Sequence, residues 1–228
     1  MSIGLSGFTP VGDPKVVPIV LSEYVEKNNL QGKLRFNLFN GGSSGEKNEN
    51  KWGKNDMIAN RYPYQNAANL RKSINSGKAG LADKHISMFP QDLSWGFYIK
   101  QRGGGIDIAI IEATEILADG SIVLGGAVGT APEFCAIADN IIIELNTASP
   151  SFKGLHDIVE QWKPLGKPYN ITSVNSSIGS LSVKIDPSKV AAVVESRLIL
   201  PGRSVKGADK TASAIAGHIV DFFQNDVK

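Results

Sequence analysis

One cysteine and three histidines among 228 residues leave little room for several kinds of chemistry. Cys135 alone cannot form an intrachain disulfide, and a single thiol suits a reducing compartment. It sits in a short apolar helical pattern, as a buried and inert thiol would. His85, His156 and His218 are far apart, and none has a second histidine or a cysteine at ligand spacing, so no metal site is expected. Charge of one sign is missing too: 24 Lys and Arg face 22 Asp and Glu. No basic stripe argues for nucleic acid or an anionic membrane. No apolar run is long enough to span a bilayer. The first residues carry neither a secretory signal pattern nor an arginine-rich amphipathic stretch, which leaves a cytoplasmic location as the expectation. A Gly-x-Ser-x-Gly elbow, a Gly-x-Gly-x-x-Gly fingerprint and a P-loop are all lacking. There is no repeat at a fixed period and no low-complexity tract.

What is present reads as alternating strands and helices. Asp13 and Pro14 are placed as an N-cap and first helical residue, followed by Val16, Val17, Val20, Leu21, Tyr24 and Val25 at helical spacing. Asn28, Asn29 and Gly32 end that helix, and residues 33–39 read as a strand. Residues 45–54, polar and charge-rich, are expected as a loop leading into a short helix over 52–60. Another helix covers 66–75, with Asn66 a candidate N-cap. The apolar runs 106–112, 140–145 and 190–194 are of buried-strand type. Asp119-Gly120 signals a hairpin. Residues 148–187, with prolines at 150, 164, 168 and 187, read as a surface excursion. The closing helix lines up Ala212, Ile215, Ala216, Ile219, Val220 and Phe223 along one face. The pattern predicts an α/β fold: an open, mostly parallel sheet with flanking helices, in a single domain.

Several loops are candidates for binding. Residues 4–15 form a glycine-containing strand-to-helix turn, a place where backbone N–H groups and the helix dipole favour an anion. Asn40-Gly-Gly-Ser-Ser-Gly45 follows a strand, where α/β folds place ligands, and Gly42 and Ser43 could hold a carboxylate there. Gln65 and Asn66 offer neutral donors ahead of a helix. Gly125-Gly-Ala-Val-Gly-Thr-Ala-Pro132 is a second glycine-rich entry to a helix. Gly103-Gly104-Gly105 precedes a strand and reads as a plain loop. Each loop has a bland reading as a simple turn. Asp107, Glu112 and Glu115 are the nearest candidates for a paired acid and base, which a sugar-phosphate isomerase would need. No nucleophile with a base emerges, so no catalytic residue is assigned.

The order of these segments is more specific than any one of them. Ser6-Gly-Phe-Thr-Pro-Val-Gly-Asp-Pro-Lys15, Gly41-Gly-Ser-Ser-Gly45 and Arg61-Tyr-Pro-Tyr-Gln65 come first, then Asp83-Lys-His-Ile-Ser-Met-Phe-Pro-Gln-Asp92. Ile110-Ile-Glu-Ala-Thr114, Ala138-Asp-Asn-Ile-Ile-Ile-Glu-Leu-Asn146 and Gly154-Leu-His-Asp-Ile158 follow. Over essentially the whole chain, 1–228, they resemble the N-terminal domain of the acetyl-CoA hydrolase/transferase family. Residues 83–98 look closest to the branch containing mitochondrial enzymes. The resemblance implies a class I CoA-transferase fold of two open α/β domains with the active site between them. It implies a glutamyl–CoA thioester carried by the C-terminal half, which this chain lacks, so the chain alone is expected to be inactive. It places Ser43 and the position of Asn66 near the acyl or carboxylate substrate, with Gly42 and Gln65 beside them. The implied partners are an acyl-CoA, a small carboxylate, a C-terminal CoA-transferase domain in cis or in trans, and further copies of the chain. CoA enters as substrate, and no resident cofactor is implied. A different class of reading is a non-catalytic remnant that binds a carboxylate, an acyl-CoA or a protein.

Three departures stand out. The helix that opens the family is missing, so Ser2 to Leu5 is expected as a frayed or exposed edge. Asn66 stands where threonine is frequent, and alanines at 127 and 131 replace residues that are often serine. Residues 198–208 replace a proline-rich segment that can carry an arginine toward the active site.

Overall fold

A computed structural model describes residues 1–8, 10–100, 105–159, 168–169, 171–199 and 205–227. In chain order the elements are β1 (Ser2–Leu5), α1 (Val17–Lys27), β2 (Phe36–Asn40), α2 (Gly45–Lys54), β3 (Ile58–Tyr62), α3 (Ala68–Asn75) and β4 (Gly80–Leu81). Then follow α4 (Phe89–Ser94), α5 (Phe97–Lys100), β5 (Ile106–Ile116), β6 (Ile122–Leu124), α6 (Ala131–Ile137) and β7 (Ala138–Asn146). The chain closes with β8 (Val190–Ser196) and α7 (Lys210–Asn225). The strands form one sheet in the order β4-β3-β2-β1-β5-β7-β8, and β6 pairs with β5 off that path. Every pair along the path is parallel, and only the β5–β6 hairpin is antiparallel. The expected open, mostly parallel α/β sheet is therefore the observed one.

Period-2 alternation sorts the side chains onto two faces. Phe36, Leu38 and Ile110 pack with Val25 of α1, Trp52 of α2 and Leu70 of α3. Phe39, Ala109 and Ile111 point the other way, toward Phe89 and Leu93 of α4 and Phe134 of α6. Trp52 meets Phe36 edge-on at 5.0 Å, and its indole N–H donates to the Pro18 carbonyl at 3.1 Å, tying α2 to α1. Cys135 is buried in α6.

Several expectations need correction. Ser2–Leu5 is the central strand rather than a frayed edge: Ile3 pairs with Leu38 on one side and Ile108 on the other. A short apolar segment at a terminus reads as an edge when no preceding element is visible; here neighbours on both sides bury it. Gly4 belongs to this packing, since a Cβ there would sit 2.9 Å from the Phe134 ring.

Residues 45–54 are helical and 58–62 are a strand, where a loop and a helix were expected. Trp52 fixes this reversal: burying it against Phe36 requires the preceding polar residues to wind as a helix whose other face is solvated. Asp13 is not an N-cap, because α1 begins at Val17 and its N-terminal N–H groups find another acceptor, described below. Asn66 does not cap α3 either; Ala67 holds that position. Along α1, Val20 and Tyr24 are exposed although they share the apolar spacing.

A further correction concerns the end of the chain. β8 is an edge strand, and Ala191, Ala192 and Val193 are exposed instead of buried. The apolar stripe of α7 forms as expected, with Asp209 capping it through Ala212 N–H at 2.8 Å, yet every residue of the helix is exposed. The described residues of 148–187 are mostly exposed, as a surface excursion requires, and are pinned by isolated bridges Ile158↔Ser180 and Ile122↔Val183. The expected loop at 103–105 lies mostly outside the described residues.

Candidate functional site

The chain winds one way from β1 through β4 and the other way through β5, β7 and β8. The point of reversal lies between β1 and β5, and in open α/β sheets ligands gather outside the carboxyl ends of the strands there. Three loops meet at that edge: residues 6–15 after β1, 41–45 after β2, and 125–130 after β6. They approach backbone to backbone. A Cβ on Gly41 would lie 2.9 Å from the Thr130 nitrogen and hydroxyl, and one on Gly12 (φ +70°) would lie 2.8 Å from the Ala127 carbonyl. Side chains at these positions would force the loops apart.

A cavity of about 280 Å³ opens at the end of β2, lined by Phe8, Gly42, Ser43, Tyr64, Lys84, His85 and Ile86. Ser43 is buried, and its hydroxyl donates to Asn66 Oδ1 at 2.6 Å. The predicted residues Gly42 and Ser43 thus line one cavity, and Asn66 reaches it through Ser43. Gln65 is next in sequence, with its side-chain oxygen buried and without a hydrogen-bond partner. The Lys84 ammonium is engaged by Asp92 and lies over the rings of Phe97 and Tyr98, 5.1 and 5.9 Å from their centroids. Donating a hydrogen bond to the Asp92 carboxylate raises the Lys84 pKa. Burial raises that of the Tyr98 phenol, partly offset by Lys84.

The backbone of the 41–45 loop is held from below. Arg61, in β3, and Glu49, in α2, form an ion pair at 2.7 Å with neither side chain exposed. Arg61 also donates to the Gly42 carbonyl at 2.5 Å and to the Tyr62 carbonyl. Glu49 accepts from Ser44 twice, from its N–H at 2.7 Å and its hydroxyl at 2.9 Å. Asn40 accepts from the Gly42 N–H at 2.8 Å.

On the other side of residues 8–11, a cavity of about 370 Å³ is lined by Val11, Gly12, Lys15, Glu112, Gly125, Gly126 and Asn146 among others. Phe8 and Val11 bond to each other through their backbones, and Phe8 lines the first cavity while Val11 lines the second. Lys15 contacts Glu112 at 2.7 Å and the Asp13 carboxylate at 3.8 Å. Asn146 donates to Glu112 at 2.8 Å. Ser6 joins loop to sheet: it donates to the Gly12 carbonyl and accepts from the Glu112 N–H, both at 2.8 Å.

The predicted anion site ahead of α1 exists, and the protein fills it. Glu144 of β7 accepts from the backbone N–H groups of Lys15 (2.5 Å), Val16 (2.9 Å) and Val17 (3.0 Å). A carboxylate at a helix N-terminus satisfies orphan donors and meets the positive end of the dipole. Burial, which Lys15 opposes and Glu112 and Glu144 reinforce, raises the Asp13 carboxyl to about 7.

Glu49, Arg61 and Glu144 were not singled out from sequence. Glu49 lies in a polar run that gives no signal. For Arg61 and Glu144 the signal was there, each being a charge within or beside an apolar pattern, as in Ile141-Ile-Ile-Glu-Leu145 and Ile58-Ala-Asn-Arg-Tyr62. Such charges are almost never fully buried unless paired. Asp107 and Glu115 do not join Glu112 in an acid–base pair, since Asp107 accepts from Ser2 N–H and Glu115 from Ser151. His156 joins no other titratable group; its Nε2 donates at 2.8 Å to the carbonyl of Gly125, in the wall of the second cavity. Among the described residues no cluster of His, Cys, Asp and Glu could hold a metal ion, and no helix is long and apolar enough to cross a membrane.

Comparison with known proteins places this geometry. The chain is 50% identical over 229 aligned residues to an acetyl-CoA hydrolase of Neurospora crassa and 51% identical to one of Saccharomyces cerevisiae. Each alignment covers 99% of this chain and 43% of the relative, so the chain spans less than half the length of the curated proteins it matches. In fold it is similar to the crystal structure of RipA from Yersinia pestis, with a TM-score of 0.62 at 16% identity, over 97% of this chain and 44% of that one. The model of the acetyl-CoA hydrolase/transferase N-terminal domain matches residues 1–195, and the chain belongs to that family.

Proposed function

We propose that this chain is the N-terminal half of an acyl-CoA transferase or acetyl-CoA hydrolase. It acts on acetyl-CoA or succinyl-CoA and a small carboxylate, and CoA enters as substrate. In this reading a glutamate on a C-terminal half attacks the acyl-CoA thioester. The acyl group passes to the glutamate as a mixed anhydride and CoA leaves as thiolate. The thiolate then attacks the glutamyl carbonyl, the original acyl group leaves as its carboxylate, and the glutamyl–CoA thioester remains. The chain described here forms the opposite wall of the pocket and holds the small carboxylate.

The observation that carries the reading is Ser43. It lies at the carboxyl end of a parallel strand, in a family whose relatives are acetyl-CoA hydrolases, with its hydroxyl at the wall of a cavity and bonded to Asn66. The cavity is framed by Phe8, Tyr64 and Ile86, which would pack on a short acyl chain. The exposed apolar face of α7 lies beyond the family match at 195 and supports a further domain packing there.

The test mixes this chain with the C-terminal part of the Saccharomyces cerevisiae relative, acetyl-CoA, and acetate or succinate. The expected outcome is CoA exchange only when both pieces are present, with a CoA adduct located by mass on the C-terminal piece. Turnover by this chain alone, abolished by changing one of its own carboxylates, would overturn the reading.

A further inference from the structure

We infer that Arg61 is a positioning residue for Ser43, acting through its buried pair with Glu49; the inference rests on the carboxylate-pocket reading of Ser43. Two backbone groups flank this hydroxyl, the Gly42 carbonyl before it and the Ser44 N–H after it. Arg61 holds the first and Glu49 holds the second, while the two side chains hold each other. The peptides on both sides of Ser43 are therefore fixed to one rigid unit, which spans β3 and α2. The direction of the Ser43 Cα–Cβ bond follows from that, and so does the hydroxyl's reach to Asn66 at 2.6 Å.

Stability alone is a poor explanation for the pair. Replacing a buried ion pair by apolar residues of similar volume is often neutral or stabilising. An arginine with no exposed surface, donating to two backbone carbonyls and a carboxylate, does something an apolar pair cannot. It reads the position of the Gly42 carbonyl through a planar fork. Lysine at 61 would keep the charge and lose that second contact.

The experiment uses the double variant Glu49→Met/Arg61→Met, with Glu49→Gln as a second variant if the first fails to fold. Amide hydrogen exchange is followed at Ser44 in the loop and at Leu38 and Ile110 in the sheet. The brace predicts that Ser44 exchanges roughly a hundredfold faster while the sheet amides hold. With the C-terminal half added, kcat/KM for acetate should fall about tenfold to a hundredfold, because a misplacement near 1 Å has that effect. The KM for acetyl-CoA should move by less than about twofold, since positioning of the carboxylate wall leaves CoA contacts alone. Arg61→Lys should fall between the double variant and the parent.

Native protection at Ser44 in the folded variant would overturn the inference, as would an unchanged kcat/KM for acetate while Ser43→Ala still lowers it. If Ser43→Ala itself has no effect, the carboxylate-pocket reading fails. Exchange at Ser44 then decides the brace by itself.

Discussion

At the carboxyl edge of the sheet, charges are buried and bound. Glu49 and Arg61 hold the 41–45 loop, Glu144 holds the start of α1, and Lys15 links Asp13 to Glu112. At the far end of the chain, apolar groups are exposed and unbound: Val193 of β8 and Ile215, Ile219 and Phe223 of α7 each show about half their surface or more. The two regions invert the usual arrangement of polar outside and apolar inside. Buried charges fix geometry at a given place, where an apolar core would tolerate slippage. The apolar stripes of β8 and α7 are left uncovered by the described residues, and in the proposed reading a C-terminal half covers them.

The contrast can be broken most sharply at Arg61. Arg61→Ala leaves Glu49 buried without its partner and should cost about 3–5 kcal/mol of folding free energy, measured by urea unfolding. A loss under about 1 kcal/mol would mean that water or another cation replaces the guanidinium.

Asp13 offers a pH test. Its folded pKa of about 7 lies above the ordinary 3.8. The folded state therefore holds a proton that the unfolded chain has released. This contribution to stability is complete below pH 3.8 and is lost as pH rises through 7. Asp13→Asn should remove that decline, making the variant more stable than the parent at pH 8 by roughly 2–4 kcal/mol, with a smaller difference at pH 5. Parallel stability curves for the two proteins would show that Asp13 stays ionised.

Glu144→Gln keeps an acceptor for the α1 N–H groups and removes the charge. The expected loss is about 1–2 kcal/mol at low salt, reduced as salt is added. A smaller effect is expected at the other end. Ile219→Lys on α7 should change the stability of this chain by less than about 0.5 kcal/mol, because its surroundings are solvent. It should also weaken association with the C-terminal half. A large loss of stability in the chain alone would place α7 against the body.

How much of this was legible in the sequence depends on the scale of the signal. The parallel sheet could be read because 106–112 and 140–145 are apolar runs whose burial on two faces leaves no alternation to misread. β3 was hidden for the opposite reason: Ile58-Ala-Asn-Arg-Tyr62 contains two strongly polar residues, and one of them, Arg61, belongs to an ion pair with neither side chain exposed. α2 was hidden by its composition, since only Trp52 and its contacts across the sheet select a helix over a loop. Ser43 and Asn66 were named through their place in a motif, whereas the pairing of Glu49 with Arg61 spans 12 residues in sequence and that of Glu144 with Val17 spans 127. A partner that distant leaves no local spacing to read.

The carboxylate pocket is tested most directly by kcat/KM for acetate in the enzyme assembled from this chain and a C-terminal half, comparing Ser43→Ala with Ser44→Ala. A hydrogen bond to a charged group contributes about 1.5–3 kcal/mol, so Ser43→Ala should lower kcat/KM roughly tenfold to a hundredfold with the fold intact. Ser44→Ala, whose hydroxyl bonds to Glu49 beneath the loop, should lower it less. An unchanged kcat/KM for Ser43→Ala at full stability would contradict the account.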